Sequence, residues 1–113
     1  MTIKNSNVTI NVKNLDQSIL FYESIGLTVK NRWGNYYAEV VAPGISIGLH
    51  PSNNLLGNSG SVSIGFSIDD LENAKSSLQE LSIDHNYTKE EGGEFLMFKD
   101  PDGTSLYYIK TKW

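Results

Sequence analysis

The chain contains no cysteine, which excludes a disulfide framework, a thiolate metal centre and a thiol nucleophile. Its only histidines are His50 and His85, so imidazole chemistry is confined to two places. No apolar run approaches the ~20 residues that a membrane-spanning helix needs. The opening Met1-Thr2-Ile3-Lys4-Asn5 leads into a strand pattern without a signal-peptide core, so the expected location is the cytoplasm, with no membrane partner. Positive charge is sparse: nine Lys and Arg stand against thirteen Asp and Glu, a formal net charge of −4. With no basic run to neutralise a row of phosphates, nucleic acid is not an expected partner.

Against these absences stands a composition that suits one folded domain over residues 1–113, with 39% hydrophobic and 19% charged residues. The final stretch, Glu94-Phe95-Leu96-Met97-Phe98-Lys99 and Thr104-Ser105-Leu106-Tyr107-Tyr108-Ile109-Lys110, flanks Asp100-Pro101-Asp102-Gly103. Pro101 presets φ for the second turn position, and the stretch reads as a β-hairpin. Side chains alternate between faces along a strand, and both faces of this hairpin carry large apolar groups. One face is expected to pack on a helix and the other to line an apolar hollow.

Earlier in the chain, Asn7-Val8-Thr9-Ile10-Asn11-Val12 alternates as a half-buried strand does, with Val8, Ile10 and Val12 inward. Asn14 fits a helix N-cap with Gln17 placed for a capping-box contact, Leu15, Ile19, Tyr22 and Ile25 share one helical face, and Gly26 ends the helix. Strands over Leu27–Arg32, Tyr36–Ala42 and Ile45–His50 follow, separated by turns at Trp33-Gly34-Asn35 and Pro43-Gly44. Pro51–Gly60, rich in Ser, Asn and Gly, reads as a linker.

The pattern then repeats. Sliding the chain so that Asn7 falls on Ser63 superposes Ile10 on Phe66, Val12 on Ile68, Leu15 on Leu71, Tyr22 on Leu78 and Ile25 on Leu81, with Asp70 in the place of Asn14. A strand over Ile83–Thr88, a charged turn over Lys89–Gly93 and the final hairpin complete the second copy, in which Gly48 matches Tyr107 and His50 matches Ile109. The expected fold is α+β: two tandem βαβββ modules, residues 1–56 and 57–113, forming curved mixed β-sheets with helices outside. Ser82 replaces Gly26 in the second copy. Because a non-glycine residue at positive φ costs about 1 kcal/mol, the second helix is expected to end differently.

A doubled βαβββ that opens as Val-x-Ile-x-Val-x-Asn-Leu-Asp with Phe-Tyr-x-x-Ile-Gly-Leu, and closes on Phe-x-Asp-Pro-Asp-Gly, resembles the vicinal oxygen chelate superfamily. Glyoxalase I, extradiol dioxygenases, fosfomycin-resistance enzymes and bleomycin-resistance proteins belong to it. The resemblance implies a U-shaped hollow in each module and pairing of short chains as homodimers. In metal-holding members the ligands sit on the first and last strand of each module. The matching positions here are Asn7, Gly48, Ser63 and Tyr107. Glycine donates nothing, and serine hydroxyl, neutral phenol and a single amide are poor donors for a divalent cation. No metal or other cofactor is therefore expected, as in the metal-free bleomycin-resistance-like members.

The side of each module away from its helix should be lined by Asn7, Thr9 and Asn11; Tyr37, Glu39 and Val41; Ser46, Gly48 and His50; Ser63, Gly65 and Ser67; and Phe95, Met97, Ser105, Tyr107 and Ile109. Gly48, Ser63, Gly65 and Ser67 should leave volume, while Tyr37, Phe95 and Tyr107 offer flat walls, a makeup suited to a small planar or amphipathic guest. The ligand-binding candidates are Asn7, Tyr37, Glu39, Gly48, His50, Ser63, Phe95, Met97 and Tyr107. Trp33 at its turn and the terminal Trp113 are candidate rim or interface contacts. No catalytic set is assigned. The enzymatic alternative is a glyoxalase-like lyase or isomerase, or a dioxygenase-related enzyme, using a Glu39/His50 metal or His50 as general base. A third alternative is an interaction module whose aromatics only fill space.

Overall fold

A computed structural model describes residues 1–52 and 62–111; most of the expected linker and the candidate contact Trp113 lie outside the described residues. The chain divides into two compact units, Met1–Leu56 and Gly57–Trp113. The first unit runs β1 (Val8–Val12), α1 (Leu15–Ser24), β2 (Thr28–Trp33), β3 (Tyr37–Ala42) and β4 (Ile45–Pro51). The second runs β5 (Ser63–Ser67), α2 (Leu71–Glu80), β6 (His85–Glu90), β7 (Gly93–Lys99) and β8 (Ser105–Thr111). Each unit builds one four-stranded mixed sheet, in the orders β1-β4-β3-β2 and β5-β8-β7-β6, with a single parallel pair between its first and last strands. This is the α+β, doubled βαβββ architecture expected from the repeat.

Both helices begin on a side-chain cap. Asn14 Oδ1 accepts the Gln17 backbone N–H at 2.9 Å and Asp70 Oδ1 accepts that of Asn73 at 2.9 Å, each satisfying a donor that the first helical turn leaves open. The helices also end alike, against expectation. Gly26 and Ser82 both take positive φ (114° and 57°), and the next residue donates back five places, Leu27 to Tyr22 and Ile83 to Leu78, both at 2.9 Å. Ser82 thus accepts the left-handed conformation in order to close the same terminal hydrogen bond. That bond uses the Ile83 N–H, so β6 starts at His85 and continues through Glu90, two residues beyond the expected span.

One face of the first sheet packs Ile10, Val12, Ala38, Val40, Ile47 and Leu49 with the α1 stripe Leu15, Ile19 and Tyr22, all buried. The second sheet packs Ile64, Leu96, Phe98, Leu106 and Tyr108 with Leu71 and Leu78 of α2. Two residues expected inside are exposed, Val8 at the first position of an edge strand and Leu81 at the cap of α2. In the final turn, Asp100 is buried and its Oδ1 accepts the backbone N–H groups of Asp102 (2.9 Å) and Thr104 (2.8 Å). Asp100 is therefore a structural residue, its carboxylate spent on the turn.

Candidate functional sites on the helix-distal faces

Cross-strand register decides which side chains share the face turned away from each helix. In the first unit, Asn31, Glu39, Gly48 and Thr9 form one row, with Val41 beside Ser46 on one side of it and Trp33 beside Tyr37, and His50 beside Asn11, on the other. In the second, Asn86, Met97, Tyr107 and Gly65 form the matching row, between Lys99, Ser105 and Ser63 on one side and Thr88, Phe95, Ile109 and Ser67 on the other. The strand residues proposed to line the hollow fall on one of these two faces, and Asn7, just ahead of β1, joins the first through its hydrogen bonds to Thr9 and Tyr37.

The first face is a hydrogen-bonded surface. The Tyr37 hydroxyl lies over Gly48, where an added Cβ would overlap it. It shares a 3.0 Å hydrogen bond with Thr9 Oγ1 and accepts one of 3.3 Å from Asn7 Nδ2, which also donates to Thr9 Oγ1 at 3.1 Å. Glu39 is gripped from both sides: Asn31 Nδ2 donates to its Oε1 at 2.9 Å and the Ser46 hydroxyl donates to its Oε2. These two donors, Ser46 foremost, hold the Glu39 carboxyl below the ordinary glutamate value, with a further through-space attraction from Lys30. His50 is exposed, with Nδ1 at 3.3 Å from Asn11 Oδ1.

Sequence reasoning missed Asn31. Period-two alternation from Val29, which pairs with the buried Val40, puts Asn31 on the helix side. A β-bulge between Val29 and Asn31 reverses that assignment and sets Asn31 opposite Glu39. On the same hairpin, Arg32 reaches Asp16 of α1 at 2.6 Å and also binds Gly34 O and Asn35 Oδ1, bracing the turn that carries exposed Trp33. The Trp33 and Tyr37 rings lie 5.6 Å apart.

The second face carries an aromatic and apolar cluster of Phe95, Met97, Tyr107 and Ile109 among smaller polar side chains. Tyr107 covers Gly65 as Tyr37 covers Gly48, but with the phenol ring as well as its hydroxyl, and its ring lies 5.8 Å from that of Phe95. Met97 is 45% exposed beside them, and Ser63 is exposed at the start of β5. The volume expected over Gly48 and Gly65 is thus already taken by tyrosine side chains. His85 points elsewhere, its Nδ1 bonded to the Ile83 carbonyl at 2.8 Å.

The positions at which the resemblance would place metal ligands do not fit a divalent ion. Gly48 is capped, Tyr107 is stacked, and Asn7 directs its amide nitrogen at Thr9 and Tyr37. The Glu39/His50 pair is not brought together either: Glu39 turns to Asn31 and Ser46, while His50 turns to Asn11. Among the described residues, no three His, Asp or Glu side chains converge as ligands of one ion would. One open depression of about 220 Å³ lies where the chain entering β1 passes the Pro43-Gly44 turn, lined by Ser6, Asn7, Val8, Gly44, Ile45 and Ser46. No helix among the described residues is long and apolar enough to cross a membrane.

No family model matches the chain, and no curated protein matches it by sequence. Solved structures do match, over nearly the whole length. A fosfomycin resistance protein from Listeria monocytogenes superposes with a TM-score of 0.82 at 17% identity, covering 99% of this chain and 96% of that one. A bleomycin-binding protein solved with bleomycin gives 0.74 at 19% identity, covering 97% and 100%. A lactoylglutathione lyase from Agrobacterium tumefaciens gives 0.73 at 18% identity, covering 97% and 96%. The strand orders, the single parallel pair in each unit and these superpositions together establish that the chain has the glyoxalase/bleomycin resistance fold.

Proposed function

We propose that this protein is a cytoplasmic homodimer that binds and sequesters a small planar or amphipathic molecule without a resident metal. One observation carries the reading: the strand positions that hold metal elsewhere in the fold family are Asn7, Gly48, Ser63 and Tyr107, and tyrosine side chains occupy the space over Gly48 and Gly65. What the faces offer instead is ring surface and fixed hydrogen-bonding atoms, the usual makeup of a small-molecule site. A bleomycin-binding protein of the same fold is a precedent for binding a small molecule. The nine candidate residues, Asn7, Tyr37, Glu39, Gly48, His50, Ser63, Phe95, Met97 and Tyr107, are assigned to guest contact, with Gly48 acting through the close seat it gives Tyr37.

Native mass spectrometry of protein purified without chelator tests the proposal. Twice the chain mass, no stoichiometric divalent ion and a co-purified organic guest are the expected results. Nickel, zinc or manganese should leave the melting temperature unchanged, because no donor set rewards the folded state for binding them. One metal ion per chain, held with a raised melting temperature, would overturn the metal-free reading.

A further inference from the structure

The depression beside Ser46 has a hydrogen-bonding polarity set by Glu39. An ionised carboxylate only accepts, so the Ser46 hydroxyl, bonded to Glu39 Oε2, must give up its single proton there. The Ser46 oxygen can then present only lone pairs to the depression it lines. Asn7, on the same wall, spends its amide nitrogen on Thr9 and Tyr37, which leaves its carbonyl oxygen as an acceptor. Asn31 fixes the other carboxylate oxygen, so the charge behind Ser46 does not swing away. Two acceptors, one polarised by a full negative charge, thus border a space that Ser6, Val8, Gly44 and Ile45 also line.

We propose that this depression is a subsite for a positively charged nitrogen, a primary ammonium group on the guest, with Ser46 and Asn7 as direct acceptors and Glu39 as the charge that selects it. A primary ammonium has three donors and no acceptor, complementary to this wall. A carboxylate or phosphate would meet lone pairs and like charge. The formal charge of −4 adds a general attraction for cations. This inference rests on the small-molecule reading and narrows its guest to amphipathic amines.

The test uses three probes sharing one ring: naphthylmethylammonium, naphthylmethanol and naphthoate, titrated into the full chain by calorimetry and followed by backbone amide NMR shifts. The ammonium probe is expected to bind about tenfold more tightly than the alcohol, the scale of a charge-assisted hydrogen bond, with the largest shifts at Asn7, Ile45 and Ser46. Glu39→Gln should erase that preference, so that within the variant the ammonium probe binds no more tightly than the alcohol. Ser46→Ala, which keeps the carboxylate, should weaken the ammonium probe about threefold and serves if the Gln variant misfolds. Saturable binding without preference for the ammonium, or a preference that survives Glu39→Gln, would overturn the inference alone. Absence of saturable binding by all three probes would overturn the small-molecule reading and this subsite with it.

Discussion

In the first unit the central row of the helix-distal face reads Asn31, Glu39, Gly48, Thr9; in the second it reads Asn86, Met97, Tyr107, Gly65. Both rows begin on asparagine and then diverge, to the carboxylate of Glu39 in one and to Met97 and the ring of Tyr107 in the other. Glycine sits on the last strand of one unit and on the first strand of the other, and in each case a tyrosine fills the space it leaves. Tyr37 arrives from a neighbouring strand and ends in a polar network, whereas Tyr107 arrives from the paired position and ends against Phe95. The helix sides are exchanged in the same manner. Tyr22 and Ala38 are fully buried in the first unit where Leu78 and Leu96 are fully buried in the second, so bulk has moved from helix to strand. Duplicated modules can therefore diverge by trading volume between facing elements without altering the backbone lattice.

The largest effects should come from undoing that trade. Leu96→Ala removes a fully buried side chain, and about 2–5 kcal/mol of stability should be lost. Ala38→Leu adds volume at a fully buried position of the first core and should cost about 1–3 kcal/mol. Urea unfolding followed separately in each unit checks both. A cost for Ala38→Leu below about 0.5 kcal/mol would mean that the first core has slack and that the exchange is not compensatory.

A smaller effect distinguishes the two glycine seats. An added methyl at Gly65 or Gly48 displaces the end of a tyrosine side chain, which can swing, so each alanine variant should lose only about 1 kcal/mol. In a double-mutant cycle, Tyr107→Ala should cancel the cost of Gly65→Ala, since the clash is with that ring alone. Tyr37→Phe should cancel only part of the Gly48→Ala cost, because the hydrogen bonds to Asn7 and Thr9 go with the hydroxyl. Equal, full cancellation in both units would show that the polar network of the first contributes nothing.

The helix ends offer a third, gentler contrast. Ser82 sits at φ 57° in the role Gly26 fills at φ 114°, so Ser82→Gly should stabilise by about 0.5–1 kcal/mol and raise the melting temperature by a few degrees. Gly26→Ser should lower it by more, since φ 114° lies outside the left-handed well that a serine tolerates.

How much of this was legible in the sequence follows from which interactions are local. Caps, the Asp-Pro-Asp-Gly turn and the alternation of β1 are written in neighbouring residues, and the repeat marks out the two βαβββ modules. The tyrosine caps over Gly48 and Gly65 were not legible, because a glycine on a strand signals room but not who takes it. The Asn31–Glu39–Ser46 grip was hidden by a bulge that one strand's sequence does not announce. The Glu39/His50 pairing failed because shared face and nearby number do not bring side chains within bonding distance.

Ionisation gives the last way to separate the units, because two tyrosines of the second have a raised phenol pKa, for different reasons. Tyr87 donates a 2.6 Å hydrogen bond to the Glu94 carboxylate, which holds its proton, while Tyr108 is kept neutral by burial among apolar groups. Both should titrate above the ordinary value of 10.0 in an ultraviolet absorbance titration. Glu94→Gln should return Tyr87 towards that value and leave Tyr108 late. The linkage sign follows: a phenol whose folded pKa is raised stabilises the fold fully below its unfolded pKa, and that contribution disappears as pH rises through the folded value. Alkali should therefore loosen the second unit through Tyr108, and Tyr108→Phe should flatten its loss of stability above about pH 10. Amide exchange resolved by unit reads the result, and an unchanged alkaline slope in that variant would remove burial of Tyr108 as its cause.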